Sequence, residues 1–306
     1  MKEKRFLRKE KAARSIDMTM EQCTRREALG LAWALTCSLP EAQAKPGLRL
    51  PGMVWQPSAG TLRPQGTWQR LGIRRLLVQW TAVDNLSLVP GTYLPSMSRN
   101  LPDWERIAAE PWAQELILGL AGMHDEAKAR ASLADLAMQS YALKAAITAL
   151  PLRVAGWYFP VEVDPTWAAP SLLTEVLNKL PRPLWISAYD NANMGPQALV
   201  DWIMRWIPED VGVFFQDGVG VHARTPGVAR EYLQMLTAHL GLARVRVIAE
   251  AFRPAPGGGF RSAMAEEFLP QLTAYQGWTV FAFDGPHYLN PPLVDALADA
   301  LGSKPR

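Results

Sequence analysis

Two glutamates, far apart along the chain, each end a run of mostly apolar residues. Glu162 ends the run Gly-Trp-Tyr-Phe-Pro-Val-Glu, and Glu250 ends the run Val-Arg-Val-Ile-Ala-Glu. An ionised carboxylate in apolar surroundings is costly unless it has a partner. Cleavage of a glycosidic bond needs two carboxyl groups, because one protonates the leaving oxygen while the other attacks the anomeric carbon or activates water. We therefore predict that Glu162 and Glu250 are the catalytic pair.

Side chains near the ends of the other apolar runs are of types that bind sugars. Carboxylates and amides form hydrogen bonds with hydroxyl groups, and aromatic rings stack on the C–H faces of sugars. The predicted substrate-binding residues are Trp80, Tyr158, Asp190, Asn191, Gln216, Asp217, Asp284, His287 and Tyr288.

Most of these residues also have a purely structural interpretation. Asp217 precedes Gly-Val-Gly, so its carboxylate also suits hydrogen bonding to the amides of a tight turn. Asp190 and Asn191 fit a loop and helix cap, and His287 and Tyr288 fit packing under the final helix. For any single tryptophan, packing in the core is the more common outcome.

Other chemistries lack their residue patterns in this chain. The four histidines have no i, i+4 spacing for a metal site, and neither a Gly-x-Ser-x-Gly elbow nor a phosphate-binding loop occurs. We therefore expect no metal and no cofactor.

Residues 1–44 carry nine of the 32 basic and six of the 29 acidic residues. The remainder is electrically balanced, which argues against a nucleic-acid partner.

Eight apolar runs alternate with helical patterns along residues 45–306. Runs rich in Val, Ile, Leu, Phe and Trp indicate strands, and the amphipathic stretches between them indicate helices. The predicted strands cover residues 52–56, 75–80, 115–122, 154–162, 183–190, 211–217, 245–252 and 278–284. The predicted helices cover residues 101–113, 125–150, 171–180, 197–207, 225–242, 259–275 and 292–301, and residues 61–71 have the least regular helical pattern.

This alternation predicts an α/β fold, a (β/α)8 TIM barrel formed by one domain over residues 45–306, a length near the ~250 residues typical of such barrels. Apolar strands fit a parallel sheet that is covered by helices. The rival fold, an open doubly wound sheet, would need a Gly-rich loop after its first strand, where residues 56–60 read Gln-Pro-Ser-Ala-Gly. In a barrel the carboxyl ends of the strands meet at one face, so we expect the candidate residues to meet there.

The N-terminal leader contains the three parts of an export signal in their usual order: a charged stretch, an apolar stretch and a cleavage site. A charged stretch ends at Arg26 in Thr-Arg-Arg-Glu-Ala-Leu, which resembles a twin-arginine signature. Residues 28–39 are apolar but too few to span a bilayer, and residues 42–44 offer an Ala-Gln-Ala cleavage site. We predict transfer by export machinery to the periplasm or the exterior, with no membrane segment in the mature chain. The alternatives are an amphipathic N-terminal helix and lipid attachment at Cys37. Both cysteines, Cys23 and Cys37, precede the cleavage site, so no disulfide is expected.

The positions of the two glutamates resemble those in a large clan of retaining glycosidases built on this barrel. That clan carries one glutamate at the end of strand four and another at the end of strand seven. The resemblance implies that Glu162 is the acid/base and Glu250 the nucleophile. The clan usually has Asn before the strand-four glutamate, where this chain has Val161.

A wider resemblance covers most of residues 52–290. Four sequence segments resemble those of an uncharacterised bacterial barrel family that is described as glycoside-hydrolase-like. They are Gly-Trp-Tyr-Phe-Pro-Val-Glu at 156–162, Phe-Gln-Asp-Gly-Val-Gly at 215–220, Ala-Glu-Ala-Phe at 249–252 and Asp-Gly-Pro-His-Tyr-Leu-Asn-Pro at 284–291. This resemblance implies the barrel fold and the position of the site.

Together the residues and the resemblance predict a periplasmic, glycoside-hydrolase-like protein that acts on a bacterial polysaccharide by retaining, two-carboxylate cleavage. The alternative is a non-catalytic polysaccharide-binding or secretion-accessory protein, because a fold does not establish an activity. An ion pair that seals Glu250, for example with Arg253, would favour this alternative. A third hypothesis is another barrel enzyme, such as a lyase that uses these acids as bases.

Overall fold

Eight parallel strands close into one barrel in chain order, and the last strand pairs with the first. The computed structural model describes residues 48–168 and 170–302, so the predicted export signal lies outside the described residues. The strands are β1 (Gly52–Trp55), β2 (Arg75–Val78), β3 (Glu115–Gly119), β4 (Val154–Val163), β5 (Leu184–Ala188), β6 (Val211–Gln216), β7 (Val245–Glu250) and β8 (Thr279–Phe283). The predicted (β/α)8 barrel is confirmed.

Helices follow the strands and bury their apolar faces against the barrel wall. They are α1 (Trp104–Ala109), α2 (Glu126–Ala131), α3 (Leu133–Thr148), α4 (Ser171–Lys179), α5 (Pro196–Trp206), α6 (Pro226–Leu240), α7 (Ala265–Ala274), α8 (Gly285–Tyr288) and α9 (Pro291–Ala300). The predicted helix 125–150 is two helices that meet at Ser132, and 61–71 contains only a 3-10 turn, Trp68–Leu71. Within the described ranges, no helix has the length and apolar character to cross a membrane.

Two predicted strands end earlier than expected because the chain leaves the barrel wall. After β3, the short strand Ala121–Gly122 joins a small three-stranded sheet with Ala82–Val83 and Leu86–Ser87. After β7, Phe252–Pro254 pairs with Phe260–Ser262 in an antiparallel hairpin, where a helix beginning at 259 was predicted. Both additions follow the carboxyl ends of strands, so they lie around the barrel mouth.

The barrel interior is filled by one large side chain from each strand. These residues are Val54, Leu77, Ile117, Tyr158, Trp185, Phe214, Ile248 and Phe281. Gly212 leaves room for Trp185, because a Cβ at this position would lie 2.2 Å from the indole ring. One layer nearer the amino end, the Arg246 guanidinium lies 3.8 Å from the centroid of a Trp185 ring, which suits a cation–π contact.

β4 contains a bulge of two extra residues relative to β5. Tyr158 pairs with Trp185 and Glu162 pairs with Ser187, so four residues on β4 advance along two on β5. Pro160 lies within this bulge, where its missing N–H costs no ladder hydrogen bond. Because two is an even number, Glu162 faces the same side as Tyr158, which is the barrel interior.

Candidate active site

The residues one layer above the interior side chains form a ring at the carboxyl end of the barrel, which we call the mouth layer. Alternate residues of a strand face the same side. By this alternation, and by the pairing of β4 with β5, the ring consists of Gln56, Gln79, Gly119, Glu162, Ser187, Gln216, Glu250 and Phe283. Both predicted catalytic residues therefore face the mouth.

Tyr189 is a further side chain at the barrel mouth. It follows β5, with the same facing as Trp185, and its side chain is half-buried. Burial raises the pKa of the Tyr189 phenol, and the charges of Glu250 and Glu162 raise it further.

Glu162 is held by contacts to its carboxylate and to its main chain. Gln216 Nε2 donates a hydrogen bond to Glu162 Oε2. The Glu162 N–H donates to Glu126 Oε1 at 2.9 Å, and Arg130 Nη2 donates to the Glu162 carbonyl oxygen at 2.9 Å. Burial, followed by the charge of Glu126, raises the pKa of Glu162 to about 7, although Arg130 and Gln216 oppose the shift. A carboxyl group with this pKa can exchange a proton near neutral pH, as a general acid or base must.

A cavity of about 600 Å³ adjoins Glu162. Its lining residues are Glu126, Ala127, Arg130, Glu162, Asp164, Thr166, Tyr189 and Asn191. The volume lies within the ~300–1,000 Å³ of ordinary ligand pockets. Carboxylate, amide, hydroxyl and guanidinium groups together suit a ligand that carries many hydroxyl groups.

Glu250 is buried, with 6% of its surface exposed. Its Oε2 accepts a hydrogen bond from the Val221 N–H at 3.2 Å. Gly220 packs directly on the side chain, because a Cβ at Gly220 would lie 2.6 Å from Glu250 Cβ. Burial, followed by the charge of Asp217, raises the pKa of Glu250 to about 8. The group is therefore mostly protonated at neutral pH.

A buried hydrogen-bond network lies behind Glu250, between the barrel wall and α7. Asp217 Oδ1 accepts the Glu250 N–H at 3.2 Å, and its Oδ2 accepts Gln271 Nε2 at 2.6 Å and the Tyr275 hydroxyl at 2.9 Å. Arg253 donates to the Gln271 side chain and to the main-chain oxygen of Glu250. It does not pair with the Glu250 carboxylate, and no salt bridge in the described ranges does.

The structure corrects the interpretation of Asp217 as a substrate-binding residue. Asp217 has no exposed surface, and the N–H of the turn residue Val219 donates to the same Oδ1 as the Glu250 N–H. Adjacent residues of a strand face opposite sides, so Gln216 faces the mouth and Asp217 faces the helices. Gln216 binds the Glu162 carboxylate, so it is a positioning residue.

Asp190 needs the same correction, whereas Asn191 lines the cavity. Asp190 is fully buried, and its carboxylate accepts hydrogen bonds from the Tyr232 hydroxyl at 2.6 Å and from the N–H groups of Met194 and Gly195. It therefore closes a loop before α5, as its structural interpretation states. Asn191 is exposed, and its N–H is held by Asp164 Oδ2 at 3.0 Å.

Trp80 and Tyr158 are also corrected, because both are buried and neither offers a stacking surface. Trp80 Nε1 donates to the Pro57 carbonyl oxygen at 3.3 Å, and the ring packs edge-on against His124. Tyr158 belongs to the interior layer, where its hydroxyl donates to Ser187 Oγ at 2.8 Å. It forms part of the floor below the mouth layer.

The segment after β8 carries the last three predicted residues. Asp284 is buried, and its Oδ1 has no hydrogen-bond partner among the described residues. Burial raises the pKa of Asp284 to about 8, against a smaller opposing effect of the Gln56 main chain. His287 is exposed on α8, and Tyr288 is half-buried, with its ring centroid 5.0 Å from that of Phe252.

Comparison with known proteins addresses the fold. No family model matches the chain, and no curated protein matches it. A protein proposed to be an alpha-L-fucosidase from Bacteroides thetaiotaomicron has a similar structure, with 18% identity, a TM-score of 0.61, and coverage of 84% of this chain and 94% of that one. The chain has the fold of a (β/α)8 barrel.

Two further solved structures are less similar. A chitinase from Chromobacterium violaceum has 11% identity and a TM-score of 0.45, with coverage of 84% of this chain and 100% of that one. A spore cortex-lytic enzyme from Bacillus megaterium has 12% identity and a TM-score of 0.46, with coverage of 84% and 75%. At such identities the likeness concerns the fold alone.

Of the eight cavity residues, only Glu162 and Asn191 were predicted as site residues, and the six others include Tyr189, Glu126 and Arg130. Tyr189 could have been predicted, because alternation along the predicted strand 183–190 makes it face the same side as Trp185. Glu126 and Arg130 lie one helical turn apart, which indicates a helix-surface pair. The sequence has no feature to indicate that α2 places this pair against the main chain of Glu162.

Proposed function

We propose that the protein is a glycoside-hydrolase-like barrel that cleaves a bacterial polysaccharide with retention of configuration. The proposal rests on the positions of Glu162 and Glu250, which both lie near the carboxyl ends of strands at the barrel mouth and face its centre. The cavity beside Glu162 and the fold likeness to a protein proposed to be an alpha-L-fucosidase support a carbohydrate ligand.

In the proposed reaction, Glu162 is the acid/base and Glu250 the nucleophile. Glu162 donates its proton to the glycosidic oxygen as the C–O bond breaks, and the Glu250 carboxylate bonds to the anomeric carbon. Glu162, now ionised, takes a proton from water. The resulting hydroxide attacks the anomeric carbon and releases Glu250.

The two raised pKa values restrict the pH range of this reaction. The reactive form needs Glu162 protonated and Glu250 ionised, whereas their pKa values are about 7 and about 8. That form is most populated between these two pKa values, and it is a minority of the molecules at every pH. We expect a bell-shaped rate profile centred there.

Paired substitutions test the proposal. Glu162→Gln and Glu250→Gln keep the side-chain shape, and each should abolish the release of reducing ends from a panel of bacterial polysaccharides. Glu231→Gln, at an exposed position of α6, is the matched control and should retain full turnover. Undiminished turnover by a correctly folded Glu250→Gln protein would refute the mechanism.

One observation favours the second hypothesis, a non-catalytic polysaccharide-binding protein. Glu250 is buried and absent from the lining of the cavity beside Glu162, and its raised pKa keeps it mostly protonated at neutral pH. Such a protein would bind polysaccharide without releasing reducing ends. Binding that persists in Glu250→Gln, with no cleavage by the unsubstituted protein, would establish this function instead.

The place of action is part of the proposal and rests on the leader sequence alone. The order of Arg25-Arg26, an apolar stretch and Ala-Gln-Ala supports export before cleavage after Ala44. Replacement of both arginines by lysine should retain the protein in the cytoplasm at full length. A mature N-terminus elsewhere than Lys45 would contradict the proposed processing.

A further inference from the structure

An aromatic run begins at the barrel mouth beside Glu250 and continues onto the hairpin. Phe283 is the register partner of Glu250 on the neighbouring strand. The ring centroid of Phe283 lies 6.2 Å from that of Phe252, which in turn lies 4.7 Å from Phe260 and 5.0 Å from Tyr288. We call Phe252, Phe260, Phe283 and Tyr288 the aromatic surface.

The four rings range from buried to exposed, as expected of a binding surface whose outer rings pack on a buried one. Phe252 is buried and packs against each of the other three rings, so it is the ring on which they rest. Phe283 and Tyr288 are half-buried, and Phe260 is 48% exposed. Single exposed apolar side chains are common on protein surfaces. Phe260 differs from these because it continues a row of rings that starts in the mouth layer.

The strand that carries Phe260 is held in place by side-chain contacts of the two residues that follow it. The two Nη atoms of Arg261 donate to the Glu267 carboxylate at 2.7 and 2.8 Å. Asn290 Nδ2 donates to Ser262 Oγ at 2.9 Å. A ring that is already ordered loses little conformational entropy when a ligand binds.

We propose that the aromatic surface is a second sugar subsite, which binds a neutral pyranose unit of the chain whose neighbouring unit occupies the mouth. Pyranose rings with equatorial hydroxyl groups present flat C–H faces, which suit stacking on aromatic side chains. The ligand is accordingly an oligomer of pyranose units rather than a monosaccharide. This inference rests on the proposed function, since it extends the same site.

Titration calorimetry with β-1,4-linked glucose oligomers of one to six units tests the subsite. Binding is measured in the full chain carrying Glu250→Gln, so that cleavage does not interfere. Affinity should rise with length, and Phe260→Ala should weaken binding of the long oligomers by roughly tenfold without changing the result for glucose. Phe260→Trp should preserve the affinity, because it keeps an aromatic face.

Tyr141→Ala is the matched control, because Tyr141 is 43% exposed but lies on α3, outside the aromatic surface. The subsite is refuted if folded Phe260→Ala binds long oligomers normally, or if the Phe260-bearing protein binds no oligomer of the series. A Phe260→Ala protein that changes oligomeric state and keeps its sugar affinity would refute it in favour of a contact between proteins. If Glu250→Gln still cleaves while Phe260→Ala loses oligomer binding, the catalytic proposal fails and the subsite stands.

Discussion

Replacing Asp217 by Asn should lower the pKa of Glu250 while leaving the barrel folded. Asp217 is fully buried, and its two oxygens accept four hydrogen bonds, one of them from the Glu250 N–H. In Asn, an amide NH2 group replaces one of the two carboxylate oxygens. This group is itself a donor, and it would face the two donors that the replaced oxygen accepted from. Up to two hydrogen bonds are lost, at a cost of about 1–3 kcal/mol, which is less than the ~5–15 kcal/mol that stabilises a typical domain.

The change in charge has the larger functional consequence. The Asp217 carboxylate is the main electrostatic cause, after burial, of the raised pKa of Glu250, which is about 8. Without that charge, we expect the pKa of Glu250 to fall by roughly one unit, equivalent to about 1.4 kcal/mol. The limb of a pH–rate profile that reports the pKa of Glu250 should move to lower pH by the same amount.

The assay is a pH titration of the glutamate side-chain carboxyl resonances by carbon NMR, which needs no substrate. Tyr275→Phe is the control, because it removes a neutral donor to Asp217 without removing a charge. Its Glu250 midpoint should stay near that of the unsubstituted protein. A folded Asp217→Asn protein whose Glu250 midpoint is unchanged or raised would refute the reasoning.

Three further predictions address the surroundings of the two glutamates. Gly220→Ala places a Cβ 2.6 Å from Glu250 Cβ, so turnover should fall at least tenfold in a protein that still folds, as assayed by reducing-end release. Gln216→Leu removes a donor that stabilises ionised Glu162, so the Glu162 limb of the pH profile should move upward. The free energy of unfolding should decrease as pH rises from about 4 to about 8, because buried Glu162, Glu250 and Asp284 keep protons that the unfolded chain releases. Calorimetric unfolding at pH 5 and pH 8 checks this, with an expected difference on the order of 10 kcal/mol from the three groups together, and Asp284→Asn should reduce it.

A different experimental result would contradict each of these three predictions. Normal turnover in Gly220→Ala would show that the close packing on Glu250 is unimportant. An unmoved or lowered Glu162 limb in Gln216→Leu would contradict the role of the amide. Equal stability at pH 5 and pH 8 would show that the buried acids do not hold protons in the folded protein.

The barrel was predictable because its strands are apolar on both faces. A parallel strand between a filled interior and a layer of helices buries every side chain, and β6 and β7 therefore stand out as nearly continuous apolar runs. The strand ends were less predictable. Residues 121–122 and 252–254 remain extended after leaving the wall, so composition does not distinguish them from the barrel strands.

The errors at Asp217 and Asp190 come from one omitted rule, the alternation of side chains along a strand. Gln216 and Asp217 were assigned to the same ligand, as were Asp190 and its neighbours, although adjacent residues face opposite sides of a barrel wall. Strict alternation from Trp185 would have selected Tyr189 and rejected Asp190. The hydrogen-bond network around Asp217 was not predictable, because Gln271 in α7 and Tyr275 directly after it lie more than fifty residues away along the chain.

The bulge in β4 restricts how this strand can change length during evolution. Losing or gaining a pair of residues around Pro160 would shift Glu162 along the barrel axis but leave its carboxyl group inside. An indel of a single residue would rotate the acid outward and bring a valine neighbour, Val161 or Val163, to its place. Functional homologues should therefore differ here by even numbers of residues, and an odd difference should mark descendants that have lost the chemistry of this acid.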